Sequence, residues 1–83
     1  VTATSTQVLA VNASRKVAII TNDSDTTMWL AIGQTAVTHQ GERLNANGGV
    51  LVISRTGDIY STEAVNAIHA SSGNKVCCAQ ELN

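Results

Sequence analysis

Residues 16–33 read KVAIITNDSDTTMWLAIG: two short apolar runs rich in Val, Ile and Leu, separated by seven residues of Asn, Asp, Ser and Thr. Asn, Asp and Ser side chains bond their own backbone and tolerate tight turns. NDSDT between two β-type runs therefore predicts a hairpin joining Lys16–Asn22 to Thr27–Gly33. The rival reading is a cation loop using Asp23 and Asp25. A calcium loop continues with further oxygen ligands and closes on an acidic residue about twelve positions on, whereas this chain passes directly into Met28-Trp29-Leu30. The turn is the better reading, and no metal or cofactor is expected.

The same rhythm extends along the chain. Val-, Ile- and Thr-rich runs at Thr6–Val11, Lys16–Asn22, Thr27–Gly33, Gly49–Ser54, Asp58–Ser61, Ala64–Ala70 and Lys75–Leu82 alternate with turn residues, and no Pro interrupts them. Turn signals at intervals of about ten residues predict an all-β fold, a small antiparallel β-sandwich or barrel of about six to eight strands. In NANGG, Asn47-Gly48 suits the positive φ angles of a tight turn.

Side-chain alternation says which faces are covered. In Met28–Ile32 the set Met28, Leu30 and Ile32 suits a core, which turns Trp29 and Ala31 the other way. In Val17–Ile20 and Val50–Ile53 both faces are apolar, as in strands covered on both sides. The stretch Gln34–Asn47 or another subunit is expected to supply the second cover.

Eighty-three residues make one domain, which buries only about 60–65% of its unfolded surface and gains from a partner. With no Phe, one Trp and one Tyr, the core must be aliphatic. The net charge of −1 and five scattered Lys and Arg give no basic face for phosphates, so nucleic acid is not an expected partner. No apolar run approaches the roughly 20 residues that cross a bilayer, and no membrane role is expected. The adjacent Cys77-Cys78 point to opposite faces if they lie on a strand, so a bridge between them is not expected, and the pair fits synthesis in a reducing cytosol. His39 and His69 are 30 residues apart, without metal-ligand spacing. No Ser sits on a nucleophile turn, and Glu42 and Glu63 are read as solvated. The chain is expected not to be an enzyme.

The runs RKVAIITNDSDTTMWLAIGQTAVTHQGERLNANGGVLVI and AVNAIHASSGNKVCCAQEL resemble a class of small virion proteins of tailed bacteriophages. The likeness lies in Arg15 before an apolar strand, the loop Ile20–Asp25, the strand Trp29–Gly33, the loop Gly41–Gly49, then Val65–Gly73 and Val76–Glu81. Cys77-Cys78 departs from the Val and Thr usual at that point. The resemblance implies a non-enzymatic β-sandwich or barrel made in the host cytoplasm and carried on the virion. Its implied role is capsid decoration: many copies bound to the major capsid protein, bridging neighbouring subunits and stabilising the shell, as a homo-oligomer. The alternative is a receptor- or carbohydrate-binding module of a tail fibre or spike, which the scarcity of aromatic residues disfavours. Expected interface residues are Trp29, Tyr60 and the leading segment Val1, Thr2, Ala3, Thr4, Ser5 and Thr6. That segment lacks an apolar anchor and is expected to be a flexible arm or a strand added to a neighbour's sheet edge.

Overall fold

The computed structural model describes residues 1–83. Seven strands, β1 (Thr6–Leu9), β2 (Val17–Asn22), β3 (Met28–Ile32), β4 (Glu42–Leu44), β5 (Gly49–Ser54), β6 (Val65–His69) and β7 (Cys77–Leu82), form two antiparallel sheets, and there is no helix. The first sheet runs β1-β6-β3-β4 and the second β5-β2-β7, with β1 lying over β7 and β4 over β5. The fold is the all-β sandwich that the turn rhythm predicts.

The core sits between the sheets and is aliphatic: Ala18, Ile20, Leu51 and Ile53 from one, Met28, Leu30, Leu44, Val65 and Ala67 from the other. Each comes from the inward phase of its strand, which is why β2 buries alternate residues, Ala18, Ile20 and Asn22.

The opening stretch folds differently from a hairpin. β2 pairs with β5 and β7, whereas β3 pairs with β6 and β4, so residues 23–27 carry the chain from one sheet to the other. The reason lies in Asn22. Its buried side chain donates to Thr26 O (2.8 Å) and Leu44 O (3.0 Å) and accepts from Ser24 Oγ (2.6 Å). These bonds bend the backbone out of the plane of β2, so that Ile20 and Leu30 meet face to face across the core instead of side by side. Asn47 and Gly48, with φ of 59° and 114°, make the second crossover, from β4 to β5. Their N–H groups donate to Ser24 O and Asn22 O, both at 2.8 Å, which lays the two crossovers together at one end of the sandwich.

Two other elements differ from the sequence reading. Glu42–Leu44, read as polar loop, is a strand paired with β3. Asp58–Ser61, read as a strand, pairs with nothing. Its groups are taken locally instead: Ile59 O accepts from Ser54 N–H (2.8 Å), Tyr60 Oη donates to Arg15 O (2.6 Å), and Ser61 O accepts from the Arg15 guanidinium (3.0 Å).

Candidate functional site

Arg15 and His69 are the ionisable side chains that the fold buries wholly. Arg15 Nε donates to Glu81 Oε2 (2.6 Å), Nη1 to Ser61 O (3.0 Å) and Glu63 O (2.8 Å), and Nη2 to Ala10 O (2.9 Å). The fork-shaped donor set of a guanidinium suits four acceptors converging from three segments, a task that a lysine point charge cannot perform. Hydrogen bonding to Arg15 holds the Glu81 carboxyl below the ordinary glutamate range. His69 Nδ1 accepts from Ser71 N–H (3.0 Å), so the ring proton is on Nε2, facing Val1 O (3.1 Å) and Gly73 O (3.0 Å). With both nitrogens engaged by backbone, this imidazole fastens a loop. Every buried polar side-chain atom has a hydrogen-bond partner.

The carboxylates of the 23–27 crossover do not converge. Asp25 pairs with Lys75 Nζ at 3.0 Å, and that hydrogen bond lowers its pKa. Asp23 lies beside Cys78, with Sγ to Oδ2 at 3.9 Å. No three His, Cys, Asp or Glu side chains stand close enough together to hold a metal ion.

The expected interface residues fall in three places. Trp29 lies on the outer face of β3, only 9% exposed, and His39 packs against it with the rings tilted by 58° and their centroids 4.5 Å apart. The loop 33–41 that brings His39 there is pinned by Ala36 N–H to Ser5 Oγ (2.9 Å) and by Asn66 Nδ2 to Gln34 O (2.7 Å). Tyr60 lies at the Arg15 end, its hydroxyl spent on Arg15 O. The leading segment, expected to be flexible or to reach a neighbour, lies along its own domain. Val1 exchanges backbone bonds with Lys75 (3.1 and 2.9 Å), Thr2 O accepts from His69 N–H (3.2 Å), and Val1 packs against the core. Val1 supplies the apolar anchor that the small polar composition of the segment obscures.

What remains without cover is the outer face of the β5-β2-β7 sheet. Val50 and Val52 from β5, Ile19 and Thr21 from β2, and Cys78, Gln80 and Leu82 from β7 lie side by side there. Val50, Val52 and Leu82 are each about half exposed, at 51, 49 and 51%. No charged residue interrupts the three strands on this face; Lys16, Asp23 and Arg55 stand only at strand ends. The sequence marks this face through the double-sided apolar runs of β2 and β5, and the loop 33–41 covers β3 instead. The part played by β7 was not legible, because it depends on strand order. Cys77 packs toward the core, where desolvation pushes its thiol pKa up, while Cys78 points outward.

No protein family, curated protein or solved structure matches the chain.

Proposed function

We propose that this chain is a non-enzymatic structural protein of a phage virion, a decoration protein that docks on the major capsid protein through the outer face of the β5-β2-β7 sheet and stabilises the shell by bridging neighbouring subunits. The observation that carries the reading is the uncharged apolar face built on Ile19, Val50, Val52 and Leu82; the resemblance of residues 15–53 and 64–82 to small virion proteins supplies its setting. Three strands about 4.8 Å apart and about 20 Å long present roughly 300 Å². An ordinary stable interface takes about 800 Å² from each partner. One copy on its own would hold weakly, and a lattice of many copies bridging subunits is the arrangement in which such a contact becomes effective.

The receptor- or carbohydrate-binding alternative needs aromatic rings on display, and the chain offers little: Trp29 is buried beneath His39, and Tyr60 is the one exposed ring, with its hydroxyl bonded to Arg15 O. Docking is therefore the preferred reading. Immunogold electron microscopy of particles from the producing strain tests it. Label spread over the shell is expected. Label confined to fibre tips would favour the alternative, and particles without label would end the virion reading.

A further inference from the structure

We propose that the open edge of β7 pairs antiparallel with β7 of a second copy, with the two-fold axis at Ala79, joining two three-stranded sheets into one of six strands.

An unpaired strand edge is a template for another strand, and proteins ordinarily blunt such edges with short strands, bulges, Pro, Lys or covering loops. The sandwich has four edges; two belong to very short strands and a third is capped at one end. β1 has four residues and a register shift between Gln7 and Leu9. β4 has three residues. β5 is capped at one end of its open edge, where Ser54 N–H donates to Ile59 O (2.8 Å). β7 shares the length of β5 but has no internal bond from a flanking loop on its open edge. It has six residues in unbroken register with β2, and within it there is no Lys and no Pro.

The phase of the ladder shows which groups are free. Asp23 N–H donates to Val76 O (3.2 Å), so in the alternating antiparallel pattern Cys78, Gln80 and Leu82 bond β2, and the N–H and C=O groups of Cys77, Ala79 and Glu81 face the open edge. Ala79, although on the inner side of its sheet, is exposed.

The occupant follows from self-complementarity. Centred on Ala79, two copies of the strand pair Cys77 with Glu81, Ala79 with Ala79 and Cys78 with Gln80, and about six main-chain hydrogen bonds form. Val76 and Leu82, 58 and 51% exposed, then lie opposite each other at both ends, on the outer face. No like charges meet, since Glu81 is already turned to its own Arg15. Moving the axis to Glu81 sets two carboxylates opposite each other. The paired sheets also give one continuous apolar face of roughly 600 Å², near the area that an ordinary interface takes from one partner. That last gain rests on the proposed docking role, whereas the pairing itself needs only two copies of the chain.

Sedimentation equilibrium of the isolated protein up to about 500 µM tests the pairing, independently of any virion. A monomer–dimer equilibrium is expected, shifted at least tenfold toward monomer in Ala79→Pro, which removes an N–H aimed at the open edge and leaves the bonds to β2 in place. A second variant fixes the register should the proline unfold the strand. In Gln80→Cys, residue 80 faces Cys78 of the other copy, and oxidised glutathione should take up the two thiol hydrogens and yield a covalent dimer. That dimer should vanish in Cys78→Ser/Gln80→Cys. A wild-type monomer at the highest concentration, or a Gln80→Cys protein no more readily cross-linked than wild type, would overturn the proposal.

Discussion

Arg15 shows how a single side chain closes this molecule. It is the residue on which Ala10, beyond β1, Ser61 and Glu63, before β6, and Glu81 of β7 converge. Such charge-assisted bonds are worth about 1.5–3 kcal/mol each when lost from a folded protein. Glu81→Gln keeps the shape and one acceptor oxygen but removes the charge, and should cost about 2 kcal/mol, a fall of roughly 8–16 °C in melting temperature. The sign with pH follows from the depressed carboxyl. Above the ordinary glutamate value of about 4.3 the stabilisation is fully present, and it is lost as pH falls through the lower folded value. Thermal melts of wild type below about pH 4.3 should therefore lose stability more steeply than those of Glu81→Gln; parallel curves would mean that the ion pair contributes nothing. None of this was legible from composition, in which Arg15-Lys16 is an ordinary basic pair and Glu81 an ordinary surface carboxylate. Burial of a charge becomes visible only when distant segments are brought together, here residues 66 positions apart in sequence.

Among the elements, β4 and the loop before it carry the instructive difference. THQGER reads as loop because its residues are polar, yet Glu42–Leu44 pairs with β3 and delivers Leu44 to the core. Period-two patterning fails on a three-residue edge strand that buries one side chain. Gly41 makes the pairing possible: its φ is 82°, and a Cβ there would collide with the Leu30 carbonyl. Gly41→Ala should therefore push β4 off β3 and loosen the loop that holds His39 over Trp29. Trp29 is the only tryptophan, so its fluorescence reports the event directly, with emission moving to longer wavelength as the ring meets water. An unchanged spectrum together with an unchanged melting temperature would show that the loop holds without the glycine. The long strands β2, β3, β5, β6 and β7 were legible because each carries a run of apolar residues. Their assignment to two sheets was not, since the Asn22 network that turns a hairpin into a crossover depends on Leu44 O from a strand that the pattern hides.

At the scale of the whole molecule, two ends and two outer faces remain to be accounted for, and three of these four are closed. The Arg15 fork closes one end. The crossovers, the Asp25–Lys75 pair and residues Val1 and Thr2 close the other, and the loop 33–41 covers the outer side of β3. Because Val1 packs on the core and caps His69, deletion of Val1–Ser5 should lower stability by about 2 kcal/mol, read as a lower urea midpoint with an unchanged slope. A free arm would leave the midpoint where it was. The fourth surface, the outer side of β5-β2-β7, is the one for which the fold supplies no cover, and its double-sided apolar strands were legible from the first reading of Val17–Ile20 and Val50–Ile53. If that face exists to be covered by something else, its apolar surface adds little to the stability of the isolated chain. Val52 is half exposed, so replacing it forfeits little burial, and exposed strand positions tolerate exchange within about 1 kcal/mol. Val52→Lys should therefore melt within a few degrees of wild type. It should also sharply reduce the fluorescence of an anilinonaphthalene dye bound to the native protein, because the charge stands beside Ile19, on the central strand of the face. A variant that loses dye binding only by unfolding, or one that binds dye as strongly as wild type, would show that the face is not the accessible apolar surface of this protein.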